Sequence, residues 1–495
     1  MSFSAKKRKI IIIFTFILAI AFILQVQMVS AQDAADNSDD YLHVSGNKIF
    51  DKYGNQVRLT GIAWFGFETP NECYHGIWSQ KMEFILDTAA DNGFNLLRVP
   101  LSLQLVNQWR KGIYPQTTAV NIFYNPGLEG LNTLEILDAS IAYCKKIGLK
   151  VMLDMHRTTN SYQTGLWYGN SFTAEDFEAS WKWLAEHYKN DDTVIAMDLF
   201  NEPYGKPTAA DGAKWDGSTD KNNWKYEAEK VGKAILDINP NLLIVVEGVE
   251  TYPYEGYTYA EKDEHKYYYT WWGGNLRGVR DYPVNLGSRQ SQLVYSPHDY
   301  GPSVWMQSWF QGDFNKDTLL RDVWGPNWYY INGENIAPVL VGEWGGRMDK
   351  GINEKWMTAL TDFIEDTGIS HTFWCLNSNS ADTGGIFLGN EFNEIDMEKL
   401  ALVQRSLWKN TNGKFIGLDH KINLGKTGTH VGAGSEIQTG DVNSDGNVNA
   451  LDLAVLKMYL LGGSTSIDRS AADMNSDGSI DAIDMILLKQ LLLGK

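Results

Sequence analysis

The chain is poor in cysteine: Cys73, Cys144 and Cys375 are the only three in 495 residues. Three thiols allow at most one bridge, which excludes a disulfide framework. It is also short of positive charge. Forty-three Lys and Arg stand against 61 Asp and Glu, a formal net charge of −18, so nothing supplies a basic surface for neutralising phosphates, which argues against nucleic-acid binding. Past residue 24 no apolar run reaches the roughly 17–25 residues of a spanning helix. No Gly-rich phosphate loop follows the first strand-like segment. Aromatics, by contrast, are abundant, with 18 Trp, 24 Tyr and 20 Phe. That exceeds what a core needs and suggests a surface that stacks on something flat. A composition 43% hydrophobic and 21% charged is that of a globular protein.

Lys6, Lys7, Arg8 and Lys9 precede an apolar run from Ile10 to Leu24, and Val29, Ser30 and Ala31 then offer small residues at a cleavage point. Basic, apolar, small is the order of a secretory signal peptide, predicted over residues 1–31. The 15-residue run is short for a retained anchor. Cleavage near Gln32 removes four basic and no acidic residues, taking the net charge from −18 to −22. Residues 32–40 read as a solvated spacer.

From residue 58 onward apolar, β-branched runs of strand length alternate with amphipathic helical patterns. The runs fall at 58–66, 95–101, 149–156, 194–201, 242–249, 293–298, 338–345 and 371–377. Helical patterns follow at 78–92, 131–147, 174–189, 223–238, 353–367 and 394–408, three of them stopped by Gly at 93, 148 and 368. Eight strand runs, most of them followed by a helix, predict an α/β fold, a (β/α)8 TIM barrel over residues 41–420, with an open doubly wound sheet as the competitor. Residues 41–57 read as a hairpin at the bottom of the barrel. Residues 251–292 form a long insertion rich in Tyr, Trp and Gly, and loops of that length are usually functional.

The active site of a TIM barrel lies at the C-terminal ends of its strands. There the sequence places Arg98, His156, Asn201 with Glu202, His298 with Tyr300, Glu343 and Trp374. This set has no Ser-His-Asp order at nucleophile elbows and no paired His and Asp spacing of a metal site. Two carboxylates facing each other among aromatics are what glycosidic hydrolysis needs: one acid for the leaving oxygen, one carboxylate for the sugar carbon or for water. Glu68, Glu247 and Glu250 also end strands, and position alone does not choose among these acids. Trp64, Trp167, Trp271, Trp272, Trp305 and Trp324 are candidate cleft aromatics, with Trp64 and Trp374 favoured as sugar platforms.

The motifs choose. Leu-Leu-Arg98-Val-Pro, Asp-Met-His156-Arg, Leu-Phe-Asn201-Glu202-Pro, Tyr-Ser-Pro-His298-Asp-Tyr300, Val-Gly-Glu343-Trp-Gly-Gly and Phe-Trp374 occur in order on successive strand ends. The set resembles glycoside hydrolase family 5, over about residues 41–410. The resemblance implies Glu202 as general acid/base and Glu343 as nucleophile of a retaining mechanism. It implies Asn201 on the sugar 2-hydroxyl, Arg98 and Tyr300 holding Glu343, His298 beside Glu202, His156 on a sugar hydroxyl and Trp374 as the floor, with no cofactor for catalysis. The runs after the first and sixth strands resemble the family's bacterial endoglucanases, which implies internal cleavage of β-1,4-glucan. Mannan and xyloglucan enzymes share the same catalytic set, and a non-catalytic glycan-binding module is the reading from another class.

Residues 421–439 are Gly/Thr-rich and read as a linker. Beyond them, 441–463 repeats as 473–495, with 12 identities in 23 positions. Each copy begins D-x-N-S-D-G and places oxygen donors at calcium-loop positions 1, 3, 5, 7, 9 and 12. These are Asp441, Asn443, Asp445, the Asn447 carbonyl, Asn449 and Asp452, then Asp473, Asn475, Asp477, the Ser479 carbonyl, Asp481 and Asp484. Asp at position 12 and the lack of a full entering helix resemble a type I dockerin, over residues 440–495. That family's fold implies a small all-α domain around two structural calcium ions and a cohesin module of a scaffoldin as partner, hence an extracellular cellulosome. Ala450, Leu451, Ala482 and Ile483 match the family's partner-recognition positions.

Overall fold

The computed structural model describes residues 40–209, 212–432, 439–443, 448–463, 467–475 and 477–494. The leader and all of the spacer except Asp40 lie outside the described residues, as do the loop positions Asp445 and Asn447. Eight parallel strands form the central sheet: β1 (Thr60–Ala63), β2 (Leu96–Ser102), β3 (Lys150–Arg157), β4 (Val194–Asp198), β5 (Leu243–Glu247), β6 (Leu293–Ser296), β7 (Leu340–Trp344) and β8 (Ser370–Phe373). From β1 to β6 each neighbours the next in the sheet, β8 pairs with β1, and β7 pairs with β8. Between β6 and β7 single bridges, Tyr295 to Val339 and His298 to Glu343, close the ring. The strands are buried on both faces, which is why they read as continuous apolar runs rather than as alternation.

The six expected helices form, at Met82–Asp91, Thr133–Lys146, Ala174–His187, Trp224–Leu236, Ile352–Thr367 and Met397–Ser406. Their starts are fixed locally. Asn132 with Glu135 and Thr173 with Asp176 make capping boxes that satisfy the first free N–H groups. Gly368 ends its helix at φ +66°, a left-handed conformation in which glycine lacks the Cβ penalty. Two helical stretches have no counterpart among the expected ones: Leu103–Arg110 directly after β2, and Lys316–Gly333 after β6, with a π-helical run over Leu320–Tyr329 that contains Pro326.

Residues 42–57 form a three-stranded antiparallel sheet rather than a simple hairpin. Its Leu42, Ile49 and Val57 pack with Leu59, Leu96, Ile195 and Leu340 under the barrel, together with Leu418 and Val431. That last contact corrects the linker boundary. Leu424 and Val431 are buried, Gly417 N–H donates to the Thr429 carbonyl and Thr429 N–H to the Phe415 carbonyl, so residues 421–432 belong to the barrel's lower cover. The spacer is corrected in the same place. Asp40 is buried, pairs with Lys150 of β3, and takes a 2.6 Å bond from His420 Nδ1, while His420 Nε2 lies 2.9 Å from Asp51. Chain entering and chain leaving the barrel are thus tied to one charged cluster.

In the tail, helices Ala450–Leu460 and Ala482–Leu492 pack around a core that, among the described residues, is Val442, Leu456, Ala472 and Leu488. Only the short turn Arg469–Ala472 precedes the second loop. The three cysteines are buried and unbridged.

Candidate active site

The upper mouth of the barrel opens into a cleft of about 810 Å³, lined among others by His156, Glu202, Trp271, Trp272, Glu343 and Trp374. Beneath it lies a layer of buried charge. Arg98 projects from within β2 and is fully buried. Its Nε donates to Asp198 Oδ2 at 2.9 Å, its Nη2 to Asn201 Oδ1 at 2.9 Å, and its Nη1 to Glu343 Oε1. Asp154 and Glu247 sit 3.1 and 3.3 Å from the same guanidinium. A buried guanidinium needs such partners, and its fixed fork orients them.

Glu343, at the end of β7, also accepts the Tyr300 hydroxyl at 2.6 Å and lies 3.6 Å from His298 Nδ1. Burial alone would raise its pKa, but the charges of His298 and Arg98 outweigh it and hold Glu343 below the ordinary carboxylate range. Glu202, four residues past β4, has the opposite balance. Burial raises it, and the bond from His298 Nδ1 at 3.0 Å only partly offsets that rise. The ring of His298 resists burial because Glu247 and Glu343 flank it, so it stays cationic well above the usual range. One oxygen of Glu202, one of Glu343 and a nitrogen of His298 lie within 4.8 Å of one another. By distance that trio could ligate a metal, but only if His298 gave up the proton that its carboxylate neighbours favour. The arrangement is instead an acid beside an ionised carboxylate.

The remaining expected residues gather here, except three of the candidate cleft aromatics. His156 donates through Nδ1 to Asp154 Oδ2 at 2.6 Å, and burial keeps its ring neutral, so Nε2 is an acceptor facing the rest of the site. Trp374, joined to Cys375 by a cis peptide bond, stacks on His156 and on Phe65 with centroids 5.4 Å apart in both pairs. Trp64 is the first of these. It is fully buried, stacked 3.9 Å from Tyr74, with Nε1 donating to the His75 carbonyl. It follows β1 directly, and its ring joins the core packed around the strands. Trp167 and Trp324 are buried as well, whereas Trp271, Trp272 and Trp305 line the cleft.

The competing acids have other duties. Glu68 accepts the Gly66 N–H at 2.8 Å and is pushed to about 7 by burial. Glu250 accepts the Gly205 N–H at 3.0 Å. Glu247 is buried below the cleft. Asp154 and Asp198 were not anticipated from sequence. Each lies inside an apolar strand, and an acid there is the signal that could have found them.

In the tail, Asp452 and Asp484 are buried, and each accepts two loop N–H groups: those of Asn443 and Asn449, and of Met474 and Asp481. Asp473 takes N–H bonds from Asp477 and Gly478. The donor set is all oxygen. It suits a hard divalent ion such as calcium. Leu451 and Ile483 are exposed beside Ala450 and Ala482 at the helix starts.

The profile of the cellulase family, glycosyl hydrolase family 5, matches residues 50–380, and that of the type I dockerin domain matches residues 439–493. Endoglucanase G of Acetivibrio thermocellus is 46% identical over 488 residues, covering 86% of each chain. Endoglucanase B of the same organism is 40% identical over 533 residues, covering 94% of each. Among solved structures, a hyperthermophilic endocellulase of Pyrococcus horikoshii superposes with a TM-score of 0.66 at 34% identity, over 74% of this chain and 98% of that one. The chain therefore belongs to glycosyl hydrolase family 5, the cellulase family, and carries a type I dockerin domain at its C-terminal end.

Proposed function

We infer that the protein is an extracellular endo-β-1,4-glucanase that cleaves internal bonds of cellulose and related glucans with retention. The observation that carries this reading is the pair Glu202 and Glu343. Oxygens of the two lie within 4.8 Å, one proton affinity is raised and the other lowered, and a carboxyl separation of about 5–5.5 Å is the retaining geometry. Glu343 attacks the anomeric carbon while Glu202 gives its proton to the departing glycosidic oxygen. The bond to the leaving chain breaks as the glycosyl ester forms. Glu202, now ionised, takes a proton from water, which displaces Glu343 and leaves the sugar in its original configuration. Arg98 and Tyr300 keep Glu343 ionised and aimed, and His298 orients Glu202. Asn201 accepts from Arg98 through Oδ1, and its amide NH2 is the donor for the sugar 2-hydroxyl. Trp374 carries a pyranose face, and His156 Nε2 accepts a sugar hydroxyl.

The dockerin fold supports attachment through a cohesin module, with Ala450, Leu451, Ala482 and Ile483 as the recognition face and two calcium ions held by the duplicated loops. Bound calcium neutralises the loop carboxylates that would otherwise repel one another. The leader at 1–31 supports export, and no described helix is long and apolar enough to cross a membrane.

The test is one panel: wild type and Glu343→Gln on carboxymethylcellulose, mannan and xyloglucan. The expected result is wild-type activity highest on the cellulose derivative and none in the variant. Equal activity in both proteins removes the mechanism, and preference for mannan or xyloglucan replaces the substrate.

A further inference from the structure

Glu247 is the last residue of β5 and is fully buried. Its carboxylate touches three parts of the site. Oε2 accepts the backbone N–H of Glu202 at 2.7 Å. Oε1 lies 3.1 Å from His298 Nε2, somewhat off the hydrogen-bond line, and accepts Arg98 Nη2 at 3.3 Å. Its backbone is fixed in turn, because the Glu247 carbonyl accepts Trp224 Nε1 at 2.9 Å.

The bond to Glu202 holds an unusual backbone. Glu202 has φ +53°, a left-handed conformation disfavoured for any residue with a Cβ and kept only where the surroundings over-determine it. The insertion loop closes over the same contact. Gly248 N–H bonds to the Gly273 carbonyl at 2.8 Å, and a Cβ on Gly273 would come within 2.4 Å of Glu247 Oε2 and 3.2 Å of the Glu202 Cα. The glycine thus lets the loop lie flat on the Glu247–Glu202 junction.

We propose that Glu247 is a positioning residue for the hydrolysis reaction, one carboxylate that fixes the backbone of the acid/base Glu202 and, through His298, sets the charge felt by both catalytic glutamates. The proposal rests on the two-glutamate reading given above. The groups facing Glu247 come from four other strands: Arg98 within β2, Asp198 of β4 with Glu202 beyond it, His298 after β6 and, past His298, Glu343 of β7; Asp154 of β3 meets it across the guanidinium. His298 has an acid at each ring nitrogen, Glu202 at Nδ1 and Glu247 at Nε2. Burial pushes the Glu247 carboxyl well above its ordinary range. The groups at its two oxygens, Glu202 N–H, Arg98 Nη2 and His298 Nε2, are nevertheless all donors, so the pair settles with Glu247 ionised and both protons on the ring. With an amide at 247 that accepts the Glu202 N–H, the NH2 faces Nε2 and favours a neutral ring. A neutral His298 no longer lowers the proton affinity of Glu202 or Glu343, so both limbs of the pH profile move in the same direction, upward.

The experiment compares Glu247→Gln with wild type in the full chain. The readouts are pH profiles of kcat/KM on cellotetraose and on two aryl cellobiosides, one with an acidic and one with a weakly acidic phenol. Expected are both limbs displaced upward by about one pH unit. Also expected is a loss of about 100-fold or more on the poor leaving group with a much smaller loss on the good one, since an acidic phenol departs without a proton. Unmoved limbs together with equal losses on both phenols would overturn the proposal. If the variant does not fold, nitrogen-15 histidine NMR of the wild type decides: His298 protonated through neutral pH supports the arrangement, and a neutral ring overturns it. Glu202→Gln and Glu343→Gln run beside it. Activity in those two on the poor leaving group removes the two-glutamate reading itself, whereas their inactivity beside a wild-type profile in Glu247→Gln removes only the role of Glu247.

Discussion

Tyr300→Phe removes one hydroxyl and nothing else from the nucleophile's surroundings. The Tyr300 hydroxyl donates to Glu343 Oε2 at 2.6 Å, in a buried pair that retains Arg98 on the other oxygen. A hydrogen bond to a charged group contributes roughly 1.5–3 kcal/mol, and 1.36 kcal/mol corresponds to about one pKa unit. Loss of the donor therefore raises the proton affinity of Glu343 by about 1–2 units. The sign follows from the folded site. Glu343 is held below its ordinary value and acts when ionised, so activity is lost as pH falls through its pKa. The acidic limb of kcat/KM on cellotetraose should move upward by about 1–2 units in the variant, while the melting temperature changes little because the ring still fills its place. An acidic limb that stays where it is in the wild type would refute the assignment of that limb to Glu343 and the role given to Tyr300.

Two tryptophans predict opposite phenotypes. Trp64→Ala, in the core, should cost about 3–5 kcal/mol in denaturant unfolding and leave KM unchanged; Trp374→Ala, on the cleft floor, should raise KM and lower kcat with a small stability change. At the barrel's lower end, burial opposes charge on His420, but the bonds its ring donates to Asp40 and Asp51 raise its pKa from 6.5 to about 9. Its stabilisation is then full below about pH 6.5 and lost as pH rises through about 9, so His420→Ala should lower the melting temperature most near pH 6 and least near pH 10. Chelation should unfold the tail helices, whose core among the described residues is four side chains, and abolish cohesin binding while hydrolysis of soluble substrate continues; cohesin binding that survives chelator contradicts the calcium reading.

The barrel was legible because a buried parallel strand must be apolar on both faces, and all eight runs carry that mark. The helix Leu103–Arg110 was hidden because it continues β2 with no turn residue between them; Ser102 caps it from within the strand. The stretch Lys316–Gly333 was hidden by Gly325 and Pro326, which read as a turn but are absorbed by the wider π-helical winding. Among site residues, side chains at strand ends were found by position and motif together. Asp154, Asp198 and Glu247 were harder to see as a site, because their meaning comes from converging on Arg98 across strands far apart in sequence. Trp64 shows the reverse limit: nothing in the sequence separates an aromatic packed under a cleft from one that lines it. The segment 421–432 looked like linker because its composition is Gly-rich, yet two apolar side chains, Leu424 and Val431, suffice to seat it.

The central claim is that Glu202 and Glu343 hydrolyse a β-glucosidic bond through a covalent intermediate. Proton NMR of cellopentaose hydrolysis, recorded before mutarotation, tests it most directly. The account predicts that the β-anomer of the new reducing end appears first and the α-anomer grows in later; initial appearance of the α-anomer would contradict it.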